Sequence, residues 1–292
     1  MNTHHSNAAN QSGNTKTEDS IIARGAVPEL VSNQFSFTEG PAADKQGNIF
    51  FTDQPNNKIW KYSRDGKLSI FMNESNRSNG MYFDADGNLL ACADENNQLI
   101  SFTPSGEKTV LVNKVNDSLL NGPNDLWISP GGNIYFTDPL YERPYWTGKK
   151  THIKGEYVYL LAKNSTVPVV IANDLVKPNG IIGTPDGKQL YVADIGGNKT
   201  YRYDIGKDGL PTNKTLFTEQ GSDGMTIDNK GNIYLTGNGV TVYNKAGKKI
   251  QQIAIPQGWT ANVCFGGTDK NILFITASTA VYTLKMNVTG AY

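Results

Sequence analysis

The chain has 292 residues, of which 38% are hydrophobic and 18% are charged. Its 27 Lys and Arg residues balance its 27 Asp and Glu residues, so no net charge favours nucleic acid or an anionic membrane surface. No apolar run approaches the roughly 20 residues that a transmembrane helix needs. These properties predict a soluble globular protein that spans no membrane and binds no nucleic acid.

The first 20 residues are mostly Asn, Ser, Thr, Gly and His, with almost nothing to bury. Such a segment cannot offset the entropy cost of ordering, so we expect a disordered arm over residues 1–20 in which His4 and His5 are inert. No signal-peptide pattern is present, but a polar arm also suits a tether left after a targeting segment was replaced. A cytoplasmic and a periplasmic or secreted location therefore both stay open.

One pattern recurs six times over residues 21–292: a polar turn, Gly-Asn or a close variant, and then four to six apolar residues that often end near Asp. Gly and Asn tolerate the positive φ of tight turns, and the apolar runs are typical of strands buried on both faces. The turn positions are spaced 40, 45, 55, 44 and 39 residues apart. They are Gly47, Gly87, Gly132, Gly187, Gly231 and Lys270.

About four strands every 40 to 50 residues is the period of a propeller blade. The sequence therefore predicts an all-β fold, a single six-bladed β-propeller over 21–292 with four-stranded antiparallel blades. Strand-like sequence from Ile21 to Phe35 precedes the first copy, and we expect it to pair into the last blade and close the ring. Cys92 and Cys264 fall in different predicted blades, which favours buried free thiols over a disulfide.

Eight positions before each turn position, every residue is a carboxylate or a carboxamide. Equivalent positions of the innermost strands surround the propeller axis, so these side chains are expected to form a ring at one end of the channel. Such oxygens favour a hard divalent cation, best matched by calcium, whereas zinc would favour His and Cys. A ring that merely lines a wet channel is the alternative. The six residues are Glu39, Asn79, Asn124, Asn179, Asp223 and Asn262.

Six motifs between Val27 and Leu284 resemble the bacterial gluconolactonase-like branch of the SMP-30/gluconolactonase/regucalcin family. They are Thr38-Glu39-Gly40-Pro41, Asn121-Gly122-Pro123-Asn124-Asp125-Leu126, Tyr135-Phe136-Thr137-Asp138-Pro139-Leu140-Tyr141, Lys177-Pro178-Asn179-Gly180, Ser222-Asp223-Gly224-Met225 and Thr260-Ala261-Asn262-Val263-Cys264-Phe265-Gly266-Gly267.

The resemblance implies one calcium or similar divalent ion, held by Glu39, Asn179 and Asp223, with Asn124 a ligand or a close neighbour. Family members hydrolyse sugar lactones, and relatives hydrolyse organophosphates. Animal members carry an Arg shortly before the position of Asn124, where this chain has Asn121-Gly122-Pro123. Their substrate contacts are therefore not carried over to this chain.

We predict a metal-dependent lactonase, a hydrolase of carboxylic esters that acts on a small sugar lactone. The cation, calcium or else Mg²⁺, Mn²⁺ or Zn²⁺, would polarise the carbonyl and activate water. Asp223 would be the general base or only a ligand. His152 is the only His after the arm, so a Ser-His-Asp triad would depend on it.

The third repeat carries an insertion, Asp138–His152, that is rich in aromatic and cationic residues. Loops on a rigid scaffold commonly carry specificity, so Tyr141 and Arg143 are candidate substrate contacts. The other candidate substrate contacts lie in the ring itself. Trp259 is a similar candidate, and packing in the core is the alternative explanation for this Trp. A phosphotriesterase-like hydrolase and a non-catalytic calcium-binding propeller remain as alternatives, and no oligomer is implied. The ring candidates are Asn79, Asn124 and Asn262.

Overall fold

The computed structural model describes residues 20–146 and 153–292, which form 26 β-strands. Six antiparallel sheets of four strands each make the blades, and a short hairpin accounts for the remaining two strands. Among the described residues the one helical element is a 3₁₀ turn, Gln54–Asn56. The six-bladed propeller predicted from the sequence is therefore confirmed.

The strands follow the chain from blade to blade. The first strand is β1 (Glu29–Ser32), and blade 1 follows with β2 (Thr38–Ala43), β3 (Ile49–Asp53), β4 (Lys58–Tyr62) and β5 (Leu68–Asn73). Blade 2 comprises β6 (Ser78–Phe83), β7 (Leu89–Ala93), β8 (Gln98–Phe102) and β9 (Lys108–Val112). The hairpin is β10 (Lys114–Val115) and β11 (Ser118–Leu119).

The second half of the ring repeats the same order. Blade 3 comprises β12 (Leu126–Ile128), β13 (Ile134–Asp138), β14 (Tyr157–Leu161) and β15 (Val169–Ala172). Blade 4 comprises β16 (Pro178–Gly183), β17 (Gln189–Asp194), β18 (Lys199–Ile205) and β19 (Pro211–Thr218). Blade 5 comprises β20 (Met225–Ile227), β21 (Ile233–Gly237), β22 (Gly239–Tyr243) and β23 (Lys249–Ile253). Blade 6 comprises β24 (Asn262–Gly266), β25 (Ile272–Ala277) and β26 (Ala280–Lys285), joined by β1.

The repeated turn joins the first and second strands of a blade, and its aspartate explains the recurring sequence. Asp44 Oδ1 accepts the backbone N–H groups of Gln46 and Asn48, while Asn48 Nδ2 donates to Asp44 Oδ2 at 2.7 Å. Gly47 has φ +86°, which a residue with a Cβ rarely adopts. The same Asp–Asn pair closes two other turns, Asp84 with Asn88 and Asp228 with Asn232.

The ring is closed by the N-terminal strand. β1 pairs antiparallel with β26, with Glu29 opposite Thr283, and so becomes the outermost strand of blade 6. Phe35 then crosses to blade 1 and packs edge-on against Phe51 and Trp60, with ring centroids 5.2 and 5.3 Å away. The expectation that strand-like sequence before the first repeat completes the last blade is confirmed.

The C-terminal segment crosses the end of the channel opposite the polar ring. Ala291 donates its backbone N–H to Ile227, and the Tyr292 hydroxyl accepts a hydrogen bond from Trp127 Nε1 at 2.9 Å. Above Tyr292 the channel holds a cavity of about 200 Å³ with mostly apolar walls. The C-terminal segment therefore covers the end of the channel that lies opposite the polar ring.

Cys92 lies in β7 and Cys264 in β24, and both are buried free thiols, as predicted. Burial raises the pKa of each thiol, which keeps it protonated and unreactive. Over the described parts of the chain, no helix has the length and apolar character that crossing a bilayer requires.

Replacing Phe35 with Ala is expected to lower the free energy of unfolding by about 3 to 5 kcal/mol, because the change leaves a cavity at the junction of blades 6 and 1. Chemical denaturation followed by circular dichroism measures the loss. The matched control is Leu30→Ala on β1, whose side chain is 53% exposed, and whose loss should stay within about 1 kcal/mol. Equal losses in the two variants would contradict this packing role for Phe35.

Candidate metal centre and active site

The six polar residues that share one repeat position all lie at the start of an innermost strand. Glu39, Asn79, Asn179 and Asn262 belong to β2, β6, β16 and β24. The remaining two, Asn124 and Asp223, come just before β12 and β20. All six are buried, and the most exposed of them, Asp223, is only 9% exposed. We call these six residues the polar ring.

Contacts between neighbouring blades hold the polar ring together. Asn262 Nδ2 donates to Glu39 Oε2 at 3.3 Å, which links blade 6 to blade 1. Asn179 Nδ2 donates to Asp223 Oδ1 at 2.9 Å, which links blade 4 to blade 5. Thr137 links blade 3 to blade 4, since its backbone oxygen accepts from Asn124 N at 2.9 Å and its hydroxyl donates to the backbone oxygen of Asn179 at 2.7 Å.

The glycine that follows a ring residue lets adjacent blades approach closely at the axis. A Cβ on Gly40 would collide with the backbone oxygen of Asn79, and Gly40 also has φ +47°. A Cβ on Gly224 would collide with the side chain of Asn262. The polar-Gly pairs in the sequence are therefore a consequence of packing the ring around a narrow axis.

The carboxylates of the polar ring interact strongly in the protein alone. Burial, and next the charge of Asp223, raise the pKa of Glu39 well above its ordinary value. Burial raises the pKa of Asp223 to about 6, and burial raises the pKa of Asp125, next to Asn124, to about 8. Three acidic groups thus share one buried space, and a cation there would stabilise their ionised forms.

Two carboxamide oxygens of the polar ring are buried without a hydrogen-bond partner: Asn79 Oδ1 and Asn179 Oδ1. A buried oxygen without a donor is costly, so each of these atoms is a candidate contact for a water molecule, a ligand or a cation. Within residues 20–146 and 153–292, no group of three or more His, Cys, Asp or Glu side chains is arranged to hold a metal ion. A cation in this ring would therefore need the carboxamide oxygens in addition to the carboxylates.

Asp223 is held by two donors on opposite sides. Asn179 binds its Oδ1, and Trp259 Nε1 donates to its Oδ2 at 2.6 Å. The Trp259 side chain is 39% exposed, so it forms part of the site wall and is not a core residue. Both polar atoms of the Asn262 side chain are bonded to protein groups, since its Oδ1 accepts from Val263 N at 2.8 Å.

A loop of blade 3 covers one side of the polar ring. Its described part, residues 139–146, is called the third-blade loop below. The Tyr141 hydroxyl accepts a hydrogen bond from Asn179 Nδ2 at 3.1 Å. Burial raises the pKa of Tyr141 to about 12, so the phenol keeps its own proton at neutral pH. Lys177 Nζ lies 4.5 Å from the Tyr141 ring centroid, and the Arg143 guanidinium carbon lies 5.6 Å from it.

The structure thus brings Tyr141 and Trp259 into contact with ring residues, and Arg143 lies beside Tyr141. His152 lies outside the described residues. Sequence reasoning did not single out Asp125 or Asp94, the latter an acceptor for Arg143 Nε at 2.7 Å. A signal for Asp94 was present, because it directly follows an apolar strand, as an aspartate ends the second strand of three other blades.

Comparisons with known proteins agree on one family. The family described as SMP-30/Gluconolactonase/LRE-like region matches residues 37–279. A curated gluconolactonase from Zymomonas mobilis is 28% identical over 304 residues, which cover 93% of this chain and 85% of the relative. A crystal structure assigned to the gluconolactonases is 31% identical, with a TM-score of 0.87, and the match covers 94% of this chain and 96% of that one. A Xanthomonas campestris gluconolactonase structure is 24% identical over 91% of both chains, with a TM-score of 0.84, and shows the same fold.

In cation-free protein, thermal stability is expected to fall as the pH rises from about 5 to about 8. The pKa values of Glu39, Asp125 and Asp223 are raised, so the folded chain binds more protons than the unfolded chain in this window. The resulting stabilisation is present at low pH and is lost as these groups ionise. Added calcium should restore stability mainly at the upper end of this pH range. Melting curves recorded with chelator and with calcium at each pH measure the effect.

The matched control is the double variant Glu39→Gln, Asp223→Asn, which keeps the shapes and removes two of the three ionisable groups. It should reduce the pH dependence to the part that Asp125 contributes and remove most of the calcium response. A wild-type slope in the double variant would show that these carboxyls are not its origin.

Proposed function

Because the chain belongs to the SMP-30/gluconolactonase/LRE-like family, we propose that it is an enzyme that hydrolyses a sugar lactone with the help of one divalent cation, calcium. A likeness to gluconolactonases over nearly the full chain supports the reaction class, the cleavage of a cyclic carboxylic ester. The observation that carries the proposal is the polar ring, where buried carboxylates and carboxamide oxygens without partners meet at one end of the channel.

The proposed ligands of the cation are Glu39, Asn124, Asn179 and Asp223. Oxygen donors of this kind suit calcium, and two carboxylates balance its charge. The partnerless Asn179 Oδ1 fits this assignment, because its Nδ2 is already directed to Asp223 and Tyr141. A bound divalent cation would polarise the lactone carbonyl and lower the pKa of a bound water.

Asp223 is the proposed general base. Its pKa of about 6 in the protein alone leaves it ionised at neutral pH and close to the range in which a base is most effective. Trp259 and Asn179 fix both of its oxygens, so the carboxylate is oriented before substrate arrives. In the proposed step, Asp223 takes a proton from water as the water oxygen adds to the carbonyl carbon. The ring C–O bond then breaks, and its oxygen receives the proton to give the hydroxy acid.

Other residues are proposed to orient the sugar lactone. The Tyr141 hydroxyl already accepts from Asn179, so its own proton is available for a substrate oxygen. The partnerless Asn79 Oδ1 would accept a hydrogen bond from a substrate hydroxyl. Asn262 is better described as the support of Glu39, because both of its polar atoms are bonded to protein.

Hydrolysis of glucono-1,5-lactone, followed by proton release, is expected to stop in chelator and to return when calcium is restored. Mg²⁺, Mn²⁺ and Zn²⁺ are tested in parallel to identify the competent ions. The expectation follows from the oxygen-only donor set, which suits calcium better than zinc.

Two results would contradict parts of this proposal. Full activity in exhaustive chelation would remove the cation from the mechanism. A tightly bound ion without activity on lactones would point to another ester or to a phosphotriester as substrate, whereas the absence of both binding and activity would contradict the cation site itself.

Asp223→Asn is expected to reduce kcat for lactone hydrolysis by a factor of about 100 or more, because the variant keeps the shape and loses the base and a charge. Circular dichroism should show an unchanged fold. The control is Asp208→Asn in an exposed turn of blade 4, which should keep wild-type kcat. Wild-type activity in the Asp223 variant would exclude Asp223 from the reaction.

A further inference from the structure

Four blades place an aspartate at the end of the second strand, or directly after it, on the face that carries the polar ring. In three of them the carboxylate accepts two successive backbone N–H groups from the segment that enters its own blade. Asp53 binds Ser36 and Phe37, Asp138 binds Asn121 and Gly122, and Asp194 binds Val176 and Lys177, at 2.8 to 3.2 Å. This repeated contact fastens the segment that leads into each innermost strand.

Asp94, the equivalent residue of blade 2, binds different partners. Its carboxylate accepts from Arg143 Nε at 2.7 Å, from Gln54 Nε2 at 2.9 Å and from the Tyr145 hydroxyl. Its backbone oxygen accepts from Trp146 Nε1 at 2.7 Å. Three of these four donors belong to the third-blade loop, so the carboxylate that should fasten blade 2 fastens this loop instead.

The segment that enters blade 2 is held in another way. The Arg77 backbone N–H donates to Asn57 Oδ1 at 2.7 Å. Three residues of this segment, Glu74, Asn76 and Arg77, have φ values of +62°, +57° and +49°. Side-chain-bearing residues rarely adopt this conformation, so the segment takes a strained path where the usual aspartate contact is missing.

The pair formed by Asp94 and Arg143 is shielded from water. The side chains are 3% and 24% exposed, and the contact is charge-assisted. Gly122 makes room for the loop, since a Cβ there would lie 3.1 Å from the Trp146 ring. Arg77 also stacks on the Tyr145 ring, 4.2 Å from its centroid. The loop is therefore docked on blade 2 by several specific contacts.

The docked loop reaches the polar ring through two side chains. Tyr141 binds Asn179, and Arg143 lies next to the Tyr141 ring. The described residues give the two Nη amino groups of Arg143 no hydrogen-bond partner, because Asp94 binds only its Nε. With respect to the described part of the chain, those amino groups are available to oxygen atoms of a molecule above the ring.

We propose that Asp94 is a positioning residue, which holds the third-blade loop so that Arg143 donates from its Nη groups to hydroxyl or carbonyl oxygens of the bound sugar lactone and Tyr141 lies beside them. This inference rests on the proposed lactonase function for the identity of the substrate. The docking of the loop by Asp94 is a separate, directly measurable part of it.

The test compares Asp94→Asn with Arg143→Gln, with the double variant and with the matched control Asp53→Asn. Asp53→Asn alters the equivalent carboxylate of blade 1, which binds no part of the loop. Hydrogen exchange of the amides of residues 139–146 reports on loop docking. Steady-state kinetics with glucono-1,5-lactone and calcium titration of each variant report on substrate and cation binding.

Asp94→Asn is expected to speed amide exchange in the loop and to raise KM about tenfold, with kcat and calcium dependence within about twofold of wild type. Arg143→Gln should raise KM similarly. The KM of the double variant should be no higher than that of the more impaired single variant, since both changes remove the same contact. Asp53→Asn should lower the melting temperature and leave loop exchange unchanged.

Three outcomes would overturn the inference: wild-type loop exchange in Asp94→Asn, additive effects in the double variant, or a wild-type KM in Asp94→Asn. If Asp94→Asn is poorly folded, Arg143→Gln with intact Asp94 must still raise KM for the inference to stand. An inactive wild-type protein would refute the proposed function, and the exchange measurement would still decide whether Asp94 docks the loop.

Discussion

The repulsion between Glu39 and Asp223, two buried acidic groups at the channel axis, is the constraint around which the site is built. In the protein alone, the pKa of Glu39 is raised by burial and by the Asp223 charge. A buried charge without compensation is expensive, so such a pair persists only where something else stabilises it. The polar ring supplies N–H donors from Asn179 and Asn262, and Trp259 adds a third from outside the ring, but two carboxamide oxygens of the ring have no partner. A divalent cation would satisfy both the excess negative charge and the unpaired oxygens.

The propeller makes this crowded arrangement possible. Each blade contributes one polar side chain from the start of its innermost strand, and glycines such as Gly40 and Gly224 remove the Cβ atoms that would keep adjacent blades apart. β1 supplies the fourth strand of blade 6 and so joins the two ends of the chain in one blade, which closes the ring and holds the six blades at fixed spacing. A rigid frame of this kind keeps the ligands in place even without a cation, at the cost of the repulsion described above.

Much of the fold and the identity of the ring residues could be predicted because both follow from repetition. A turn that recurs six times defines the blades, and a residue such as Asp223 is recognised by its distance from that turn. The partners of these residues could not be predicted in this way. Trp259 and Tyr141 lie in connections without a repeat, so their directions depend on packing between blades, which a local pattern does not encode.

Asp94 shows that a sequence repeat predicts positions better than partners, because its position recurs in other blades and its hydrogen-bond partners do not. The pattern of an aspartate after an apolar strand predicts a bond to the entering segment, as found for Asp53 and Asp194. In blade 2 the insertion in blade 3 supplies Arg143, a charged donor that competes for the carboxylate more strongly than a neutral backbone N–H. The entering segment then needs Asn57 as a substitute acceptor and adopts positive φ values. A blade whose contacts depart from the repeat thus shows where a structural residue has taken a partner near the site. Comparing the blades of this one chain is enough to find such a residue.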